Sequence, residues 1–141
     1  MSILLERALF DQIISHARAE NPRECCGLIG GRDEETQTVY PLRNVAADPL
    51  VTYEVAPEDL FAAQRAMRGR QEQLLAIYHS HPRAADPTPS STDVRLAYYP
   101  SAVYFIVGLG DKQPCLRAFR ISEREGFWET ADYTVVADAN Q

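Results

Sequence analysis

Residues 74–93 read LLAIYHSHPRAADPTPSSTD and hold two imidazoles and a carboxylate in one short stretch. His79 and His81 stand two residues apart at the end of an apolar run. If that run is a strand, alternate side chains share a face, so both rings point one way and Ser80 the other. A proline-laden loop, 82–89, then leads to Asp93 at the start of the next apolar segment. Two histidines on a rigid edge and a carboxylate brought up by a loop make three ligands for zinc, with a fourth position open to water. That is the ligand count of a catalytic centre, and the chemistry it points to is hydrolysis. Each residue also has a plainer reading. A histidine pair can simply finish a strand, and Ser90-x-x-Asp93 ahead of Val94 matches a helix capping box. The plainer readings leave unexplained why His79, His81 and Asp93 gather at one strand-to-helix crossing, where open α/β sheets bind ligands. A capped helix start is also a stiff mount for Asp93, so cap and ligand can coexist.

The elements that must position these residues follow from periodicity and turn chemistry. Residues 3–20 read as one amphipathic helix, with Leu5, Leu9 and Ile13 spaced by four and Asn21-Pro22 as its stop. His16 lies in its last turns and reads as structural or solvent-facing, with no chemical partner nearby in sequence. Residues 26–30 and 36–42 read as a hairpin around Gly-Gly-Arg-Asp, and Glu24 sits just before its first strand. Taken alone, Glu24 is a charged residue at a strand edge. Residues 51–55 suggest a short strand. Pro57 opens a second helix in the favoured first position, with Glu58 and Asp59 complementing its dipole. Leu60, Phe61, Gln64 and Met67 lie along one side of it, and Arg65, Arg68 and Arg70 read as its solvated end. Residues 74–78 form the buried strand that carries the histidines, and 93–99 a short helix ended by Pro100. Residues 103–109 form a continuously apolar strand, as in a sheet covered on both faces. Further strands are expected at 116–121 and 133–136, with Trp128 packed between elements. Strands interleaved with three helices give an α/β (α+β) fold: one domain over 1–141, with a mixed β-sheet and flanking helices.

Composition limits the function. The chain has 141 residues, 45% hydrophobic and 24% charged, with a formal net charge of −6 and no basic cluster. Nucleic acid is therefore not expected as a partner, because phosphate neutralisation needs concentrated Lys and Arg. Three cysteines, with Cys25 and Cys26 adjacent, do not make a disulfide framework and suit a reducing compartment. Glu6, Arg7 and Asp11 interrupt the N-terminal apolar residues, which argues against a signal peptide. No apolar run approaches the ~20 residues of a membrane span. The expectation is a cytoplasmic protein without membrane association.

Taken together, Glu24, His79-Ser80-His81-Pro82 and Ser90-x-x-Asp93 resemble the JAMM (MPN-type) metallopeptidases, which carry a Glu, a distant His-Ser/Thr-His and a Ser-x-x-Asp. The surrounding PRECCGLIGG and AIYHSHP are similar to the small bacterial single-domain members, and the resemblance covers nearly the whole chain. One spacing departs: eight residues, 82–89, separate His81 from Ser90 where the family usually has seven. An extra residue in an exposed loop costs little. The resemblance implies zinc held by His79, His81 and Asp93, with Glu24 as acid/base. It implies Ser90 as hydrogen-bond donor to a developing oxyanion. Strand geometry turns Ser80 away from the metal, which assigns it to orienting the site. The resemblance further implies the JAMM/MPN fold, a curved mixed sheet with helices packed on it, akin to cytidine deaminases.

The substrate that the resemblance implies is a peptide or isopeptide bond at the C-terminal Gly-Gly of a ubiquitin-like sulfur-carrier protein, cut to release cysteine or to trim the tail. On this reading Gly30-Gly31 and the 82–89 loop flank a groove in which strand addition holds an extended tail. Two other classes stay open: a metal-free MPN-type interaction scaffold, and a zinc amidase acting on a small molecule or cell-wall peptide. Other zinc chemistries fit worse. Nucleobase deaminases pair His-x-Glu with Pro-Cys-x-x-Cys, which neither Cys25-Cys26 nor Cys115 supplies. A helical His-Glu-x-x-His is absent from the sequence. Cys25 and Cys26 read as core and strand residues that, beside Glu24, are also candidates to line the site.

Overall fold

The computed structural model describes residues 2–138. In chain order its elements are β1 (Ile3–Glu6), α1 (Arg7–Glu20), β2 (Cys26–Arg32), β3 (Glu35–Leu42), α2 (Pro57–Gly69), β4 (Gln73–His81), α3 (Ser91–Arg95), β5 (Val103–Gly108), β6 (Cys115–Ser122), β7 (Phe127–Ala131) and β8 (Tyr133–Val136). The strands form one mixed sheet in the order β7-β6-β5-β4-β2-β3-β1-β8. β4 and β5 are parallel, so the chain between them must cross over, and it does so through the 82–90 loop and α3. β1 runs parallel to both of its neighbours, and the remaining pairs are antiparallel.

The two-residue period of β4 sorts its side chains between two cores. Ala76 and Tyr78 join the layer that includes Leu9, Ile13, Ile14 and Ala17 of α1, together with Phe105 and Val107. Ile77 joins the opposite layer, where Ala63 and Met67 of α2 meet Leu28, Tyr104, Ile106 and Phe119. Every residue of β5 is buried, as expected of a strand covered on both faces. α2 starts at Pro57 with Glu58 and Asp59 in its first turn.

Several expectations are corrected. Residues 3–6 are a strand, and the helix begins only at Arg7. Leu5 does lie four residues from Leu9, but Ile3 and Leu5 alternate into the core while the segment pairs in parallel with β8. Ladder pairing and burial outweigh a helical spacing that four residues cannot use. His16 is structural, as one of its two readings has it: its Nδ1 lies 2.7 Å from the Tyr78 hydroxyl, a partner far away in sequence. Gly30 and Gly31 belong to β2, and the reversal falls on Asp33 and Glu34, at φ 50 and 70. Residues 51–55 form no strand, only one isolated bridge between Asn44 and Val55. On α2, Phe61 is 57% exposed and Ala63 takes the inner face. α3 is shorter and earlier than the expected 93–99. β7 is a strand beyond those expected, and it carries Trp128, whose ring meets Phe119 edge-on at 5.2 Å.

One close approach makes a prediction. Gly27 pairs with Tyr78, and a Cβ there would stand 2.3 Å from the fully buried Tyr78 ring. Gly27→Ala is expected to destabilise by about 2–3 kcal/mol through overpacking, read as a lower melting temperature. Metal content should be unchanged, because Tyr78 and His79 point to opposite faces.

Candidate metal centre

β4 carries His79 and His81 on the face opposite Tyr78 and Ser80, at the end of the strand beside the end of β5. The antiparallel register sets Cys26 against His79. Glu24, two residues upstream of Cys26, therefore falls opposite His81 on the same face, which is how a glutamate from far away in sequence reaches the histidines. The third ligand candidate arrives on α3. Ser90 is its N-cap in a complete capping box: Ser90 Oγ accepts the Asp93 N–H at 3.0 Å, and Asp93 Oδ2 accepts the Ser90 N–H at 2.9 Å.

That same Oδ2 also faces both rings, 3.2 Å from His79 Nε2 and 3.0 Å from His81 Nε2. The two Nε2 atoms are 3.2 Å apart. A tetrahedral zinc ion with bonds of about 2.0–2.1 Å has ligand-to-ligand edges of roughly 3.3 Å, so the triangle matches one face of such a site. Glu24, His79 and His81 each offer a ligand atom, all within 4.8 Å of one another, and so form a possible metal-binding group. Glu24 is 4% exposed, and its Oε1 and His79 Nδ1 are buried without hydrogen-bond partners among the described residues. A buried carboxylate oxygen left unpaired is costly unless the group is neutral or a cation lies near. The donor set of imidazole nitrogen and carboxylate oxygen suits a divalent ion such as zinc.

The electrostatics follow from this crowding. Burial pushes the Glu24 carboxyl up to about 7, with His81 opposing and Asp93 adding to the rise. A carboxyl at that level is matched to proton transfer near neutrality, and a bound dication would draw it down. For Asp93, burial acts upward, but the His79 and His81 rings and the Ser90 amide outweigh it and hold the carboxyl well below its ordinary range. For His81, burial acts downward, and the Asp93 and Glu24 carboxylates reverse it, raising the imidazole above its ordinary value.

The surroundings hold residues that sequence reading placed only in part. Ser80, between the histidines, turns to the other face, where its Oγ accepts the Cys25 N–H at 2.8 Å and ties the approach to β2 onto β4. Cys25 and Cys26 are fully buried, and burial pushes both thiols up to about 12, so they are core residues. The Tyr53 ring covers His79 at 4.7 Å and a 30° tilt. No spacing or motif marks Tyr53 in the sequence, because it sits on an irregular segment. Beside Asp93 opens a cleft of about 610 Å³ lined by Leu28, Tyr53, Leu60, Leu96 and Tyr104 among others. The groove expected between Gly30-Gly31 and the 82–89 loop does not form. Gly30 and Gly31 pair with Leu74 and Gln73, at the start of β4, roughly 17 Å of strand away from His79.

Fold and site together define a JAB-type α/β domain. The family described as prokaryotic homologs of the JAB domain matches residues 6–122, and the chain belongs to this family, a small prokaryotic branch of the JAMM proteins. The chain is 41% identical over 103 residues to the desampylase of Haloferax volcanii, covering 68% of this chain and 73% of that protein. It is 34% identical over 123 residues to the CysO-cysteine peptidase of Mycobacterium tuberculosis, covering 84% of this chain and 83% of that one. Among solved structures, protein DSY2949 from Desulfitobacterium hafniense superposes with a TM-score of 0.84 at 30% identity, covering 96% of this chain and 94% of its own. Among the described residues, no helix is long and apolar enough to cross a membrane.

Proposed function

We propose that the protein is a zinc-dependent peptidase that hydrolyses the peptide or isopeptide bond after the C-terminal Gly-Gly of a ubiquitin-like sulfur-carrier protein. The observation that carries this reading is the triangle of His79 Nε2, His81 Nε2 and Asp93 Oδ2, with edges of 3.0–3.2 Å, beside a buried Glu24. His79, His81 and Asp93 would hold the ion. Zinc, when bound, supplies Lewis acidity that polarises a carbonyl and acidifies water. Glu24 takes a proton at its carboxylate as water adds to the carbonyl, and returns it to the amine as the C–N bond breaks. Ser90 Oγ spends a lone pair on the Asp93 amide, so its own proton is free to donate to the oxyanion. The substrate class is supported by the relatives, named desampylase and CysO-cysteine peptidase. A path too narrow for any side chain would select Gly-Gly.

The test is incubation of the zinc-loaded protein with a ubiquitin-fold carrier bearing one residue beyond its Gly-Gly, followed by intact-mass spectrometry. Loss of that residue is expected, with an Ala-Gly control resisting cleavage. Purified protein that takes up no zinc would favour the scaffold class. Cleavage of small amides with intact carriers would favour the amidase.

A further inference from the structure

Glu24 lies outside any strand, and its Oε1 has no hydrogen-bond partner among the described residues, so its aim depends on how its backbone is held. Both backbone groups are held by one irregular segment. The Glu24 N–H donates to Pro49 O at 2.8 Å, and the Glu24 carbonyl accepts from Asn44 Nδ2 at 2.9 Å. Asn44 is 4% exposed and organises that segment. Its Nδ2 also donates to Thr52 O at 3.1 Å, and its Oδ1 accepts the N–H groups of Ala46 and Glu54, each at 3.0 Å. Two donors and two lone pairs are thereby all committed to backbone. No capacity is left for a substrate, so the amide acts on the site through Glu24 and the segment alone.

We propose that Asn44 is a positioning residue for the reaction: it clamps the Glu24 carbonyl to the 44–54 segment and so sets the carboxylate against the metal centre. The proposal rests on Glu24 being the proton carrier. On the other side, Ser80 holds the Cys25 N–H from between the two histidines. The glutamate is thus pinned between a rigid strand and a loop, and Asn44 is what makes the loop rigid. A fixed carboxylate matters because misplacement by about 1 Å costs on the order of 10²-fold in rate.

Asn44→Asp tests this. Aspartate keeps the shape and both acceptors but removes both donors, so the Glu24 carbonyl faces an oxygen. With the extended carrier as substrate, kcat per bound zinc is expected to fall on the order of 10- to 100-fold, with KM within about twofold. In the metal-free protein, the Glu24 amide should exchange its hydrogen at least about tenfold faster, while Leu28 and Ile29 of β2 stay protected. In a Glu24→Gln background the Asn44 change should cost nothing further, because the group it positions is already disabled. If Asn44→Asp does not fold, Asn44→Ser, free of the opposed oxygens, carries the same expectations. Unchanged kcat alongside an inactive Glu24→Gln would overturn the proposal and leave the acid/base reading intact. An equal proportional loss in the Glu24→Gln background, or unaltered exchange at Glu24, would also overturn it. A fully active Glu24→Gln would remove the acid/base reading and this proposal with it.

Discussion

Glu24→Gln is expected to keep its zinc and to lose about 10³-fold in kcat, the scale of a general acid/base. The substitution preserves shape and takes away the carboxylate's charge together with its capacity to accept a proton. The assay pairs metal content with turnover on the extended carrier. Full activity would end the assignment, and loss of metal would move Glu24 among the ligands. A stability signature accompanies the kinetic one. Burial raises the folded Glu24 carboxyl from 4.5 to about 7, so its contribution is present below 4.5 and is lost as pH rises through 7. Glutamine is neutral throughout. Metal-free Glu24→Gln should therefore melt higher than metal-free wild type at pH 8, by roughly 3 °C, with the gap shrinking at pH 5.

Part of the candidate site was legible because its residues stand at short spacings. His79-x-His81 at a strand end and the Ser90-x-x-Asp93 box are local patterns, and both occur on the elements read for them. Glu24 is different. Nothing local distinguishes it from a charged strand edge, and its place opposite His81 depends on a β2–β4 register that pairs residues 26 and 79. Only the resemblance to a family picked it out. Asn44 and Tyr53 lie further still from legibility. Their roles arise from an irregular segment folding back on the site, and loop hydrogen bonds carry no period. The fold errors have the same source. Residues 3–6 offer too few positions to tell period two from 3.6, and the parallel partner that decides the matter, β8, comes from the opposite end of the chain. Gly30-Gly31 reads as a turn, yet here small size matters: a Cβ on Gly31 would stand 2.1 Å from the Glu35 carbonyl oxygen across the hairpin.

Asp93→Asn separates the two carboxylates and carries the other large effect. Asparagine Oδ1 can still accept the Ser90 N–H, so the helix start should survive. What is removed is the negative charge shared by two imidazoles. Loss of even an outer-shell partner costs about 10–100-fold in metal affinity, so loss of a ligand should cost more than 10²-fold, with activity falling alongside. Metal-free and metal-bound forms should then respond to pH in opposite directions. The depressed Asp93 carboxyl contributes stability that is present above 3.8 and lost as pH falls through its lowered folded value. The raised His81 contributes stability that is present below 6.5 and lost as pH rises through its higher folded value. The metal-free deficit of Asp93→Asn is therefore largest between 3.8 and 6.5 and smaller at pH 8. Zinc uptake runs the other way, because protons compete for the imidazoles at low pH, so the variant's binding defect is read most cleanly at pH 8. Undiminished zinc affinity there would take Asp93 out of the ligand set. The ion would then belong to Glu24, His79 and His81, whose ligand atoms also lie within 4.8 Å of one another, and Glu24→Gln would be the variant that loses it.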